Sequence, residues 1–246
     1  MPPRRVIGLV CRGGLADLTC ADPAGSDSIA VDGKAARGSR HGTSPAAHPL
    51  AAMTGDGRTV TQLRVPGRTN EITCFAALLA PYDLAGVTVT ADALHTQCGH
   101  VRFPGEEKKA HYLLLKANHL ELHSRLRALP WKDATARRYD REIGAVSRQT
   151  LYAITDLASQ QTSPQRVGRL ARSQWTIENR LRFFRDTTFA EDASKIRTGH
   201  GPENMATLRN LAINALRAAG YRDIAAGLRH ASYEPFTRPL DLLGIA

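Results

Sequence analysis

Three carboxylates in this chain of 246 residues stand where acids can do chemistry. Asp32 closes the apolar run SIAV, Asp92 closes GVTVTA, and Glu178 lies within the long amphipathic word SPQRVGRLARSQWTIENRLRFFRDTTF. A β-branched run that ends on an acid is how a parallel strand delivers a side chain to the carboxyl edge of a sheet. Two carboxylates held side by side repel, an arrangement made tolerable by a cation between them. Mg²⁺ takes oxygen ligands, keeps several waters, and is typically bound by one or two carboxylates plus substrate phosphate. A third acid allows two ions, Mg²⁺ or Mn²⁺, about 4 Å apart, one activating an attacking hydroxyl and the other steadying the leaving oxygen. That is the apparatus of phosphoryl transfer.

The spacing on the long helix bears on the third acid. Leu170, Gln174, Ile177, Leu181 and Phe184 form an inward stripe, and Glu178 lies about 80° from its centre at 100° per residue, with Arg185 on the same flank two turns on. Other readings of the same residues stand beside this one. An aspartate after a strand also serves as a cap or turn residue, and Glu178 has Arg182 four residues on, a ready helix-surface pair. From spacing alone Asp186, Glu191 and Asp192 are equal candidates for the third acid.

The scaffold that would carry these acids can be taken from the N-terminus. Residues 1–27 carry little pattern and read as a loosely ordered lead-in. Ile29 to Asp32 is a first strand; HPLAAMT and RTVTQLRV, joined by a GDG turn, form a hairpin beside it. Residues Ile72, Phe75, Ala76, Leu78 and Leu79 recur at helical spacing after a cap at Thr69 or Asn70. Strand four runs from Val87 to Ala91, and a helix is expected from about His95. AHYLLLKA is a further strand and NHLELHSRLRALPW a further helix. Residues 132–149 turn polar with no clear period and read as a connector. TLYAITDLA is one more strand; the long helix starts at Ser163 with Pro164 in its first position; helices from Pro202 onward finish the chain. The order β-β-β-α-β-α-β-α, with a C-terminal helical extension over 197–246, is that of an α/β, ribonuclease H-like mixed sheet over 28–196, in which the strands of Asp32 and Asp92 are neighbours.

Composition narrows the class. Lys and Arg outnumber Asp and Glu by 33 to 23, for a net charge of +10, which suits a polyanion such as nucleic acid or an anionic surface. Hydrophobic residues at 42% support a packed core. Cys11, Cys20, Cys74 and Cys98 form no CxxC pair, so neither a zinc site nor a disulfide framework is indicated. No apolar run reaches a membrane span, and a soluble, cytoplasmic protein is expected.

The words of the chain are more specific than any one acid. VDGKAARGSR, TNEITCFAALL, GVTVTADALHTQ, HYLLLKANH, LPW, LYAITDL, WTIENRLRFFRDTTFAEDASKIRTGHGP and MATLRNLAINALRAAG resemble, in order and from Ser28 to Ala246, the ISAs-type DDE transposases of bacterial insertion sequences. The resemblance implies a ribonuclease H-like fold with Asp32, Asp92 and Glu178 as catalytic acids and ligands of two Mg²⁺ or Mn²⁺ ions. It also implies DNA as partner, cleavage by water, and then attack of the freed 3′ hydroxyl on target DNA, with a homodimer on DNA as the working assembly. Arg185 occupies the place of a basic residue seven after the glutamate and is expected to hold DNA phosphate. Lys34, Lys116, Arg182 and Arg197 are the remaining expected DNA contacts. Lys116 and Asn118 match a Lys-x-Asn word, with His119 in place of a glutamine. His95 reads as a surface or capping histidine, and the RTGHGP loop as a phosphate cradle or a helix cap.

The chain also departs from the resemblance. Only a short lead-in precedes Ser28, and the text passes from RRYDREIGAVS almost directly to TLYAITDL, where family members carry a further basic stretch and extra strands. A shortened, internally deleted copy is the expectation, with 132–149 a remnant. Two other functions are consistent with the residues: a non-catalytic DNA-binding remnant, with RRYDR and RLRFFRD as basic-aromatic words, and a structure-specific nuclease on the same fold.

Overall fold

A computed structural model describes residues 21–67, 69–92, 102–116, 124, 137–140, 145–148 and 152–244. The helix expected from about His95 as far as residue 101, that expected over 118–131 apart from residue 124, Asn118, His119 and most of the lead-in lie outside the described residues.

Strands β1 (Ser28–Gly33), β2 (His48–Thr54), β3 (Thr59–Val65), β4 (Thr88–Ala91), β5 (His111–Lys116) and β8 (Tyr152–Thr155) form one six-stranded sheet in the order β3-β2-β1-β4-β5-β8. β1 pairs antiparallel with β2 and parallel with β4, β4 is parallel to β5, and β8 closes the edge antiparallel to β5. The expected three-strand meander and the adjacency of β1 and β4 are both observed. The β2–β3 turn is closed by the Gly57 and Thr54 amides, which donate to the Thr54 and Arg58 carbonyls, and Gly57 has a φ of +101°, a conformation that suits glycine.

The residues read as a connector contain a hairpin: β6 (Arg137–Asp140) and β7 (Ala145–Arg148) pair with each other as a separate two-stranded sheet. RRYD and AVSR are largely polar, unlike the equally short TVTA and YAIT, so no apolar run marks them as strands in the sequence.

Both faces of the large sheet are covered. Ile29, Val31, Leu50, Ala52, Val60 and Val89 pack on one face with Phe75, Leu78 and Leu79 of helix α1 (Glu71–Leu79). The alternate residues Ala30, Ala51 and Met53 pack on the other face with Ile177, Leu181, Ile213, Leu216 and Ile224. These come from α2 (Pro164–Ile177) and its continuation, from α4 (Gly201–Ala218) and from α5 (Ile224–Ser232). Helix α2 starts as its sequence requires: the Ser163 hydroxyl accepts from the Arg166 amide and Pro164 occupies the first turn.

The long helix is not uniform. After Ile177 it widens into a π segment, Glu178–Arg182, in which the Phe183 amide donates to the Glu178 carbonyl, before resuming as α3 (Phe183–Thr187). A short C-terminal helix, α6 (Arg238–Leu243), comes after α5. None of the described helices is long and apolar enough to cross a membrane.

Candidate active site

The register of β1 against β4 brings the two aspartates together. Ser28, Ile29 and Ala30 lie opposite Thr88, Val89 and Thr90. The same offset continued by two residues, one past the end of β4, leads to Asp32 and Asp92, close enough for the Asp92 charge to act on Asp32. Alternation also fixes the face. The Ser28 hydroxyl donates to that of Ser173, Ala30 packs with Ile177 and Leu181, and the Thr90 hydroxyl donates to the Gln174 side chain, all toward the long helix. Asp32 and Asp92 therefore emerge on the side of the sheet that carries Glu178.

Two side chains of that helix, each one turn from Glu178, lock it to this edge. Gln174, 7% exposed, donates to the Val31 carbonyl at 3.1 Å while accepting from Thr90 at 2.6 Å, tying β1 to β4 just below the aspartates. Arg182 donates to the Asp32 carboxylate and to the Gly33 carbonyl. Glu178 lies between them, solvent-exposed, its carboxylate making no hydrogen bond or ion pair with another described residue.

Burial raises the Asp32 carboxyl; Arg182 opposes this by charge and hydrogen bond, and Glu71 and Asp92 raise it further, leaving a pKa of about 6. An acid so unfavourably ionised wants positive charge, and Arg182 supplies one equivalent. Paired hard-oxygen donors at a sheet edge suit Mg²⁺ or Mn²⁺, although among the described residues no three His, Cys, Asp or Glu side chains are grouped closely enough to hold a metal ion.

Several expected DNA contacts are engaged elsewhere. Arg185 corrects the reading most sharply. Its side chain is 1% exposed and donates two bonds to Glu191, at 2.6 and 2.7 Å, with Arg209 3.6 Å from the same carboxylate. The π segment is the reason. One extra residue in a turn sets all later residues of the helix back by about 100°, which swings Arg185 from the flank of Glu178 into the core stripe. Burial pushes Glu191 upward, but Arg185, Lys34 and Arg209 hold it below the usual carboxylate range. Lys34 is also enclosed, 2.8 Å from Asp186, 3.2 Å from Asp192 and 3.6 Å from Glu191. These contacts engage the three acids that spacing left equal to Glu178. Arg182 faces Asp32. Arg197 is exposed and donates to the Gly38 carbonyl beside an open cleft of about 300 Å³ lined by Ser39, Arg64 and His200. Lys116 pairs through its backbone with Tyr152.

Sequence reasoning misses a dyad at the same edge. The His48 ring nitrogen and the Glu71 carboxylate are 2.6 Å apart, and both crowd Gly33 so closely that a Cβ there would collide with them. Glu71 opens α1, where an acid is ordinary, so no local signal marks it. Gln174 is likewise more than a member of the buried stripe, since its amide bridges two strands.

A mixed six-stranded sheet with paired aspartates at its carboxyl edge and a glutamate-bearing helix across them defines a class of α/β protein. Residues 23–215 match the family described as Transposase DDE domain, and the chain belongs to that family. It is 24% identical to the putative transposase YncI of Escherichia coli O157:H7, over 85% of this chain and 66% of that protein. It is 38% identical over 103 residues to an uncharacterized protein in the dhlA 3′ region of Xanthobacter autotrophicus, over 41% of this chain and 35% of that one. The chain thus spans about a third to two thirds of the length of these relatives. Its fold is similar to that of the piggyBac transposase in a cryo-EM synaptic complex with hairpin DNA, with a TM-score of 0.51 at 13% identity, over 83% of this chain and 51% of that chain.

Proposed function

We propose that the chain is the ribonuclease H-like catalytic domain of an insertion-sequence DDE transposase, catalysing metal-dependent DNA cleavage and strand transfer with Asp32, Asp92 and Glu178 as its acids. The observation that supports this reading is the parallel register of β1 against β4, Ala30 opposite Thr90, which continued by two residues leads to Asp32 and Asp92 on the sheet face that bears the helix of Glu178. Asp32, Asp92 and Glu178 would hold Mg²⁺ or Mn²⁺, two ions in the full arrangement. Bound divalent ions would activate the attacking water or 3′ hydroxyl and stabilise the leaving oxygen.

The chain's own residues do the rest. Gln174 fixes the spacing of β1 and β4, hence of the two aspartates. Arg182 balances Asp32, and its remaining N–H groups can donate to a phosphodiester oxygen at the same edge. Arg197, beside its cleft, extends the basic path for DNA. A homodimer on DNA and a nucleoid-associated, cytoplasmic location belong to the same reading.

The test is cleavage and joining of transposon-end DNA by the purified chain with Mg²⁺ or Mn²⁺. Asp32→Asn, Asp92→Asn and Glu178→Gln should each lower the rate by about a hundredfold or more. Variants that cleave as well as the parent would remove these residues from the chemistry. A second reading, a non-catalytic DNA-binding remnant, is favoured by the guanidinium already lodged on Asp32. It predicts DNA binding unchanged by alanine at all three acids, and no cleavage by the parent.

A further inference from the structure

At the opposite end of β1 from Asp32, arginines converge on the β2–β3 turn. Arg180 donates to the Asp56 carbonyl, and Arg217 donates to the carbonyls of Gly57 and Arg180. Arg58 reaches the Asp56 carboxylate at 3.0 Å, and exposed Arg169 makes no ion pair with a described residue. Arg58, Arg180 and Arg217 thus gather at the Asp56–Gly57 turn, with Arg169 on the adjoining cleft, and most of their hydrogen bonds go to backbone carbonyls, which orient a guanidinium without cancelling its charge. Burial, and after it the charge of Arg180, lower Arg217 to about 10, with Asp56 opposing. A cleft of about 460 Å³ opens beside them, bounded by residues 24–28, Gly55, Asp56, Arg58, Arg169 and Ser173. The other acid there, Asp27, is paired with Arg166 at 2.9 Å.

We propose that Arg58, Arg169, Arg180 and Arg217 form a second contact for the phosphate backbone of duplex DNA, distinct from the acidic edge. The proposal rests on DNA being the substrate. Charge complementarity selects the partner: guanidinium groups held in fixed positions suit phosphodiester oxygens. Geometry places it. Arg169 precedes Glu178 by nine residues, about 14 Å of helix at 1.5 Å per residue, or about four base pairs at 3.4 Å each. One duplex lying along the long helix would reach both ends of the sheet.

The test uses the full chain carrying Asp32→Asn and Asp92→Asn, so that cleavage cannot intervene. Anisotropy of a labelled duplex is followed between about 50 and 200 mM KCl. Adding Arg58→Ala and Arg169→Ala should flatten the plot of log affinity against log salt by about 2, roughly 0.9 for each phosphate no longer neutralised, and weaken binding about tenfold or more. Arg58→Lys with Arg169→Lys, which keeps the charge, should retain the parent slope. Arg222→Ala with Arg229→Ala, equal in charge but outside the proposed cluster, should flatten it less. Thermal melts check that each variant is folded.

An unchanged slope in the Arg58/Arg169 double variant, an equal loss in the Arg222/Arg229 variant, or no binding by the parent overturns the proposal. The catalytic reading is judged separately, on cleavage by the chain with its acids intact. An intact slope with active cleavage removes only the arginine contact; a flattened slope with no cleavage removes only the catalysis.

Discussion

Replacing Asp32 with asparagine should stabilise this protein at alkaline pH. The Asp32 carboxyl titrates near 3.8 when unperturbed and near 6 in the fold. Two pK units amount to about 3 kcal/mol. The folded state binds this proton more tightly than the unfolded state, so ionisation works against folding. Below the unfolded value both states are protonated and nothing is lost; as pH rises from about 4 to about 6 stability falls; above that the whole penalty persists. The Asp32→Asn side chain carries no charge and so escapes it. Arg182, a guanidinium 25% exposed, loses its partner in the variant, which offsets about 1 kcal/mol. The net gain near pH 8 is about 1–3 kcal/mol, or roughly 2–10 °C in Tm for a chain of this size. Differential scanning calorimetry of the two proteins near pH 4 and pH 8 should show the gap open with pH. Mg²⁺ should raise the Tm of the parent and leave Asp32→Asn unmoved. A variant that melts lower at pH 8, or a gap that is the same at both pH values, would refute the electrostatic account of this edge.

Arg185→Ala leaves Glu191 buried, with Lys34 and Arg209 as its remaining cations, and should cost about 3–5 kcal/mol, read by urea denaturation. Arg185→Lys should recover only part of this, because an ammonium cannot make the two-pronged contact. Gln174→Ala takes the donor from the Val31 carbonyl and leaves the Thr90 hydroxyl only its 3.3 Å bond to the Ile29 carbonyl; it should cost about 1–3 kcal/mol, with weaker Mn²⁺ binding measured by electron paramagnetic resonance. Glu178→Gln, at an exposed position without a described partner, should leave stability within about 0.5 kcal/mol of the parent while abolishing cleavage.

The run SIAVD and the run TVTAD specify strands by their apolar, β-branched content, and the words around them carry the family resemblance. Asp32, Asp92, Ser163 with Pro164, and the stripe from Leu170 to Leu181 are legible because each depends on a period or a cap, which are properties of neighbours in sequence. Arg185 is misplaced by the same logic: a count of 100° per residue holds only while the turn stays α, and the π segment at Glu178–Arg182 is decided by packing. The hairpin at Arg137–Asp140 and Ala145–Arg148 escapes because its strands are largely polar and show no apolar run.

What the sequence determined by itself is the strands of the large sheet, helices α1 and α2, and the acids that follow β1 and β4, since side-chain type and local spacing decide these. Tertiary structure alone decided the partners. It put Arg182 on Asp32, closed Arg185 onto Glu191, enclosed Lys34 among three acids, brought His48 and Glu71 against Gly33, and gathered arginines from the β2–β3 turn, the long helix and α4 in one place. An ion pair depends on distance in space, and residues up to 160 positions apart in the chain, as Gly57 and Arg217 are, meet only once the sheet and its helices have packed.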